Sequence, residues 1–256
     1  MIDILVLITL VFLIAVLFYK QRHPSLEILQ AEETQLEAQL PELLEEHQPL
    51  VVRGITPPKG LTKDSLEKIP RLAQFSVGGQ PLKDVLEHPQ MLSGAKGQPV
   101  LSHQRRQELA AELSIQVWAE HTWLPKFKET TWTGWAVGCV KTEVLLGGMG
   151  MTRTSAVYTC IMPTEGVYTV SILSKDSETF LPKEWKYKYP GDLSPNDTPL
   201  VADLKYIDII VRPGTMICFP PHFVISIKPN QESFTSAAIV EYHEPISLLA
   251  KSFSQK

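Results

Sequence analysis

Two side chains near the C-terminal end have the types and the spacing of a chemical pair. Glu241 and His243 flank Tyr242, so in a strand the carboxylate and the imidazole point to the same face and can bond to each other. A strand at the end of a chain is usually half exposed, and an ordinary surface pair is the alternative. The pair by itself indicates no particular reaction.

An aromatic cluster is the second candidate for a site. His121 lies between Trp118 and Trp123, and Trp132 and Trp135 follow. Aromatic rings around one imidazole can line a ligand-binding groove, and Trp135 is the predicted contact in it. The alternative is that these rings form the packing seam between a helix and a sheet.

Several common site motifs are absent from the sequence. The glycine-rich residues 147–150 lack a Gly-Lys-Ser/Thr ending, so they do not predict a phosphate loop, and there is no Gly-x-Ser-x-Gly motif. The three cysteines, Cys139, Cys160 and Cys218, lie far apart among apolar residues, and we expect them to be reduced, as in a cytosolic domain. A net charge of -4 gives no reason to expect nucleic acid as a partner.

The first residues predict a transmembrane helix. Residues 4–19 are apolar apart from Thr9 and the closing Tyr19. As a helix, residues 1–19 would reach roughly 28 Å, close to the hydrocarbon thickness of a bilayer. No positive charge precedes the run and no small-residue cleavage site follows it, which argues against a cleaved signal peptide. A buried helix of a globular domain is the other alternative.

The charges around this segment predict its orientation. Asp3 precedes the apolar run, whereas Lys20 and Arg22 follow it, and positive residues favour the cytosolic side. We therefore expect a single-pass membrane protein with a cytosolic C-terminal domain. The predicted division is a transmembrane anchor over residues 1–22, a juxtamembrane helical segment over residues 23–45 and one folded domain over residues 46–256.

The folded part begins with helical patterns and continues as strands. Pro41 is expected to divide the first amphipathic segment into two helices. The helical patterns cover residues 26–44, 62–69, 80–87 and 103–118. The strand patterns cover residues 49–55, 140–146, 155–162, 167–173, 206–212, 215–219, 222–227 and 235–242. Short strands separated by Gly and Pro groups, without helices between them, predict an antiparallel β-sandwich or barrel in an α+β protein.

Two stretches resemble Jumonji-type cupin domains. Residues 45–55, Glu-Glu-His-Gln-Pro-Leu-Val-Val-Arg-Gly-Ile, are similar to the Pro-Val-Val-Ile-Arg-Gly strand that opens those domains. Residues 211–222, Val-Arg-Pro-Gly-Thr-Met-Ile-Cys-Phe-Pro-Pro-His, resemble the Pro-Gly-Asp turn and Pro-Pro pair near their end. The resemblance covers roughly residues 40–245 and implies a cupin-like double-stranded β-helix after the N-terminal helices.

The family chemistry implied by this resemblance is not supported by the residues. Active members use iron(II) and 2-oxoglutarate, with the iron held by a His-x-Asp/Glu pair and a distant His. The sequence contains no such pair, and the expected positions fall on Met151 and Arg153. The distant ligand would fall near Val224 or Ile225. We therefore expect no metal and no cofactor, with His222 as a weak metal candidate.

The same resemblance places the remaining ligand-binding candidates. Arg153 could bind an anion if its side chain points inward. Tyr168 lies in the strand from which active members present a cation to 2-oxoglutarate, and that strand offers no cation here. The predicted ligand-binding residues are therefore Arg153, Tyr168, His222 and Trp135.

These observations predict a membrane-anchored, cupin-like binding or scaffold protein that lacks the usual iron site. One alternative is an iron(II)/2-oxoglutarate-dependent oxygenase with substituted ligands. The other is a membrane-associated assembly protein that uses its barrel as a surface for protein partners. Fold alone does not decide between them.

Overall fold

The computed structural model describes Val6, Leu7, Leu10 and residues 27–92, 97–130, 138–230 and 233–245. The helices of this part are α1 (Glu33–Glu45), α2 (Lys63–Glu67), α3 (Leu82–Glu87), α4 (His103–Glu112), α5 (Ile115–Thr122) and α6 (Leu124–Thr130). The strands are β1 (Leu29–Glu32), β2 (Leu50–Arg53), β3 (Ser76–Val77), β4 (Gln80–Pro81), β5 (Cys139–Leu146), β6 (Met149–Arg153), β7 (Tyr158–Glu165), β8 (Tyr168–Leu173), β9 (Tyr206–Val211), β10 (Thr215–Phe219), β11 (Val224–Pro229) and β12 (Ser236–His243).

Two sheets carry the fold. The larger has the order β1-β2-β10-β7-β12-β5, the smaller has the order β6-β11-β8-β9, and β3 and β4 form a separate two-stranded ribbon. All pairings in the two sheets are antiparallel except the parallel pair of β1 with β2. The predicted α+β class with antiparallel sheets is therefore confirmed.

The last eight strands pair in a regular way. Strand β5 pairs with β12, β6 with β11, β7 with β10, and β8 with β9. The first four of these strands therefore run alongside the last four as one antiparallel ribbon. The ribbon is folded so that its pairs alternate between the two sheets.

The facing sides of the two sheets share one apolar core. Because side chains alternate along a strand, every second residue points into the space between the sheets. The larger sheet contributes Leu145, Ile161, Ile217 and Ile239, and the smaller sheet contributes Val170, Ile172, Ile225 and Ile227, all buried. A change of register by one residue would turn this set outward, so the apolar pattern fixes the pairing.

The outer face of the larger sheet is covered by helices. The rings of Trp123 and Phe127 stack 5.9 Å apart, and Phe127 lies 5.6 Å from Tyr158 of β7 and 5.4 Å from Tyr242 of β12. Such ring contacts add to the stabilisation from burial. Helix α4 covers the neighbouring region, where Leu109 packs in one cluster with residues of β5 and β12.

Three predicted elements differ from the structure. Residues 29–32 form strand β1 rather than the start of a helix, because they pair with β2. Helix α1 continues through Pro41 as one helix, since Leu36 and Leu40 before the proline and Leu44 after it are all buried in the core. The expected helix 103–118 is two helices, because Ser114 takes a left-handed φ of 56° between them.

The expectation of three reduced cysteines is wrong. Cys160 of β7 and Cys218 of β10 form a disulfide, with their Cα atoms 4.1 Å apart, and Cys139 is free. The two residues are direct partners in the strand register, and both point toward the helices. A separation of 58 residues hides this proximity in the sequence. The cysteines therefore no longer argue for a cytosolic domain.

The prediction of an N-terminal transmembrane helix, and of a single-pass membrane protein, is also corrected. In the part of the chain that the structure describes, no helix is long and apolar enough to cross a membrane. The longest helix there, α1, has 13 residues, whereas a span needs about 20. Apart from Val6, Leu7 and Leu10, the predicted anchor over residues 1–22 lies outside the described residues.

We predict that the disulfide is a major source of stability. Closing a loop of 58 residues restricts the unfolded chain, so the Cys160→Ala/Cys218→Ala double variant should lose about 4 kcal/mol of unfolding free energy. Urea unfolding of the full-length chain measures this loss, and Cys139→Ala is the control that should stay within about 0.5 kcal/mol. Equal stability of the reduced and oxidised wild-type proteins would contradict the prediction.

Candidate functional site

A cavity of about 540 Å³ lies between the two sheets, and we call it the mouth cavity. Its wall is formed by β5, β7 and β12 of the larger sheet, β6 and β11 of the smaller sheet, the start of α4 and residues 185–187. Its apolar lining consists mainly of Met149, Ile161, Ile225 and Ile239. This volume falls in the range of small-molecule sites.

A charged cluster forms one side of the mouth cavity. Glu143 Oε1 lies 2.7 Å from His103 Nδ1, and Glu143 Oε2 lies 3.2 Å from Arg106 Nη2. The side chains of Glu143 and Arg106 are only 6% and 11% exposed, whereas the imidazole of His103 is about half exposed. Two buried opposite charges in contact stabilise each other where either alone would be costly.

The sequence positions this cluster through one helix and one strand. Ser102 caps α4 by accepting a hydrogen bond from the Arg105 backbone N–H at 3.4 Å. His103 and Arg106 are three residues apart and share one face of the helix, while Leu109 anchors α4 in the core. Glu143 lies two residues before Leu145, so both side chains are on the same face of β5. Leu145 lies in the apolar core, and Glu143 therefore also points between the sheets.

A second polar group lies on the neighbouring strands. Glu241 of β12 is the direct partner of Thr159 of β7, so the two side chains stand side by side on the inner face. Glu241 Oε2 lies 3.0 Å from His243 Nε2, as the two-residue spacing predicted. Thr159 Oγ1 is buried, and no described residue forms a hydrogen bond with it. Ile239 lies two residues before Glu241 on the same face of β12, and it is the direct strand partner of Glu143.

Residues 185–189 cross the edge of β6 beside the cavity. The Tyr187 N–H donates to the Met151 carbonyl at 2.9 Å, and the Met151 N–H donates to the Lys188 carbonyl at 2.8 Å. The Tyr187 carbonyl lies so close to Gly150 that a β-carbon at Gly150 would collide with it. Gly150 therefore permits this segment to pack on β6 and to form part of the cavity wall.

Arg153 lines the cavity but its charge is already paired. Its Nη2 atom lies 2.7 Å from Glu178 Oε2, and about half of the arginine side chain is exposed. Its strand partner is Val224, which packs in an apolar cluster on the outer side of the smaller sheet. Arg153 therefore stands at the rim of the cavity, held by Glu178.

His222 also lies at the rim, in a tight turn. Its backbone takes a left-handed φ of 71°, and its N–H donates to the Thr154 carbonyl at 2.9 Å. The Thr154 hydroxyl donates to the Pro220 carbonyl at 2.8 Å and accepts from the Phe223 N–H at 3.0 Å. Partial burial lowers the pKa of His222, and the nearby positive charges of Arg153 and Lys175 lower it further, while Glu178 acts in the opposite direction.

Tyr168, a third predicted residue, is not part of the cavity. Tyr168 is fully buried in the core between the sheets, and this burial raises the pKa of its hydroxyl above the usual range. Trp135 lies outside the described residues. Of its predicted companions, Trp123 packs in the seam between helix and sheet, as the alternative interpretation held.

The positions expected for iron ligands have other roles. Met151 and Val224 are buried together in the apolar cluster outside the smaller sheet, and Arg153 is paired with Glu178. Ile225 points into the apolar core. Within the described residues there is no group of three or more His, Cys, Asp or Glu side chains placed to hold a metal ion. The expected absence of a metal stays a prediction.

Sequence reasoning missed the most buried charges of the site. Glu143 lies in an apolar strand, where a single carboxylate among Val and Leu residues is a signal that it needs a partner. The partners, His103 and Arg106, share a helix face 37 residues or more upstream, and nothing in the sequence pairs that face with β5. The strand β6, which includes Met149, was also not predicted, because Gly150 within it and Gly147 and Gly148 before it break the strand pattern.

We predict that Gly150→Ala destabilises the protein, because the new β-carbon forces residues 185–189 off the edge of β6. The expected loss is about 1–3 kcal/mol in unfolding free energy, measured by urea denaturation. Gly191→Ala is the matched control, since its β-carbon would meet nothing closer than the Tyr206 hydroxyl at 3.7 Å. Equal effects of the two substitutions would show that the close packing on Gly150 is not required.

We predict that His222 makes the protein less stable in acid. Its pKa is lower in the folded protein than in the unfolded chain, so the unfolded state binds the proton more readily and stability falls as the pH drops below about 6.5. Urea unfolding at about pH 8 and about pH 5 should show a smaller acid-induced loss for His222→Gln than for the wild type. Identical losses in the two proteins would contradict the assignment.

Comparisons with known proteins give little further information. No family model and no curated protein matches this chain. The structure of drosophila melanogaster CENP-C bound to CAL1 is similar over 38% of this chain and 58% of that one, at 12% identity and a TM-score of 0.25. Peruvianin-I, a cysteine peptidase from Thevetia peruviana latex, is similar over 41% and 49%, at 16% identity and a TM-score of 0.26.

This chain thus spans only 58% and 49% of these two solved chains. With TM-scores of 0.25 and 0.26, neither likeness carries an argument about fold or function. The resemblance to Jumonji-type cupin domains therefore stays a prediction.

Proposed function

We propose that this protein is a small-molecule binding module whose ligand occupies the mouth cavity and needs no metal for binding. The observation that carries the proposal is that two buried polar atoms of the cavity wall, Arg106 Nε and Thr159 Oγ1, have no hydrogen-bond partner among the residues that the structure describes. Buried donors and acceptors are almost always paired, and an unpaired one costs free energy. A bound polar molecule would supply the missing partners.

The composition of the cavity supports the same proposal. Ligand sites combine an apolar lining with a few placed polar groups that fix the orientation of the ligand. Here Ile161, Ile225 and Ile239 supply the apolar surface, and Arg106 and Thr159 supply polar groups. Arg106 comes from α4 and Thr159 from β7, and the fold brings them to one cavity.

The strand pairing supports a cupin-like architecture as part of this proposal. An eight-stranded ribbon wound into two sheets is the arrangement of a double-stranded β-helix, and β5 to β12 pair in that order. Barrels of this kind bind ligands between their sheets. The mouth cavity has that location.

An iron centre does not fit the residues present. The side chains at the expected ligand positions are a thioether, a guanidinium paired with Glu178 and an apolar group, and none of them is an imidazole or a carboxylate that a two-His-one-carboxylate iron site requires. His222 alone cannot form a site of three ligands. The proposal therefore contains no step that uses iron or 2-oxoglutarate.

The test is a screen for thermal stabilisation of the full-length chain by a library of organic acids, amines, amino acids and sugars. A compound present at about 100 times its Kd should stabilise the folded protein by about 2.7 kcal/mol and raise Tm by roughly 5 °C or more. We expect at least one class of compound to do so in metal-free buffer with a chelator.

Two variants test whether a stabilising compound binds in the mouth cavity. Ile239→Phe and Ser155→Phe fill the cavity from two sides, and both should abolish the stabilisation. Ile210→Phe is the matched control, because Ile210 is 59% exposed on β9 and is not part of the cavity. Failure of every compound to stabilise the wild type, or unchanged stabilisation of both cavity variants, would overturn the proposed function.

A further inference from the structure

The charged cluster of the mouth cavity has more hydrogen-bond donors than acceptors. A guanidinium carries five N–H donors. In Arg106, Nη2 contacts one oxygen of Glu143 at 3.2 Å, and Nη1 contacts the sulfur of Met149, which is a weak acceptor, at 3.3 Å. The other oxygen of Glu143 already accepts from His103. Arg106 Nε is buried and has no hydrogen-bond partner in the described part of the chain. The Nε–H of the positively charged Arg106 therefore lacks a hydrogen-bond acceptor.

An ionised acceptor fits the unfilled donor of Arg106. Arg106, Arg153 and Lys186 line the cavity, but Glu143 and Glu178 pair with the two arginines, and Glu241 contacts His243. The net charge of the lining therefore does not select the ligand. A hydrogen bond from a guanidinium to an ionised oxygen is roughly twice as strong as one between neutral groups, so an anionic oxygen gains most at Arg106.

The number of free donors favours a carboxylate over a phosphate. Guanidinium groups bind both in bidentate pairs, but Arg106 has one side-chain donor without a partner among the described residues, and Glu143 stands beside it. A carboxylate brings one negative charge to this donor, whereas a phosphate brings up to about two charges and more oxygens, which one donor cannot satisfy. Beside Arg106 the surface is apolar, since Met149 contacts the guanidinium, Ile239 lies directly opposite Glu143, and Ile225 lines the same cavity. A molecule that occupies the site therefore has a hydrocarbon part next to its acidic group.

We propose that the mouth cavity binds a small monocarboxylic acid, with its carboxylate on Arg106 and its apolar part on Ile225 and Ile239. This inference rests on the proposed function and gives the chemical class of its ligand. Arg106 is a binding residue in this arrangement, and Glu143 holds its guanidinium in place. Glu143 also weakens the attraction of Arg106 for the acid, because it neutralises part of the same charge.

The experiment is calorimetric titration of the metal-free, full-length chain with hexanoate and with hexanamide, which has the same length but no charge. Inorganic phosphate is titrated in parallel. We expect hexanoate to bind, and hexanamide and phosphate to bind at least about tenfold more weakly or not at all. Butanoate and octanoate extend the series and report the length that the apolar surface accepts.

Three variants test the role of Arg106. Arg106→Lys removes the fork of donors and should weaken hexanoate binding about tenfold or more. Arg105→Lys is the matched control, since Arg105 lies on the same helix, is half exposed and pairs with Glu108, and it should leave binding unchanged. Glu143→Gln keeps the shape of the cluster but removes its negative charge, and it should tighten hexanoate binding about threefold or more.

The outcomes separate this inference from the proposed function. Equal binding of hexanoate and hexanamide, or unchanged binding after Arg106→Lys, overturns the carboxylate assignment. Binding of phosphate that depends on Arg106 also overturns it and indicates a general anion site. If no acid binds but another compound stabilises the wild type and not Ile239→Phe, the inference fails while the proposed function stands. Should Arg106→Lys not fold, the wild-type comparison of hexanoate with hexanamide decides, and equal binding of the two contradicts the proposal.

Discussion

The buried contact between Arg106 and Glu143 determines the structure of the open side of the sandwich. Glu143 lies on β5, the edge strand of the larger sheet, and Met149 lies on β6, the edge strand of the smaller sheet. Arg106 contacts both residues from α4, so one side chain joins the two edges and the helix. Removing either charge would leave the other buried and unpaired, which is strongly destabilising. The apolar core therefore ends at this cluster, and the mouth cavity begins there.

The remaining structure supports this arrangement from the outside. Leu109 and Ala110 follow Arg106 by one turn on the same side of α4 and pack in one cluster with residues of β5 and β12, so they hold that side of the helix against the larger sheet. The disulfide between Cys160 and Cys218 joins β7 to β10 on that same outer face. On the far side, residues 185–189 pack on β6 over Gly150 and complete the wall of the cavity. The site thus stands on strands and a helix whose positions are set by packing, as a pre-organised binding site requires.

The sequence allowed most strands and the α+β class to be predicted, because apolar alternation and Gly or Pro breaks are local signals. The charged cluster could not be predicted, since the contact of Arg106 with Glu143 depends on how α4 docks on β5. The same reason hid the disulfide, because Cys160 and Cys218 become neighbours only through the pairing of β7 with β10. Of the predicted site residues, Arg153 and His222 reach the cavity, whereas Tyr168 belongs to the core, because its alternation in β8 points it between the sheets.

The most direct measurement is the ¹⁵N–¹H spectrum of the arginine Nε–H groups in the full-length chain while hexanoate is added. The signal of Arg106 is the one that disappears in Arg106→Lys. We expect this signal to shift in a saturable way with hexanoate and to stay in place with hexanamide, while the signal of Arg105 stays constant in both titrations. An unchanged Arg106 signal at hexanoate concentrations that stabilise the protein would contradict a carboxylate bound at Arg106.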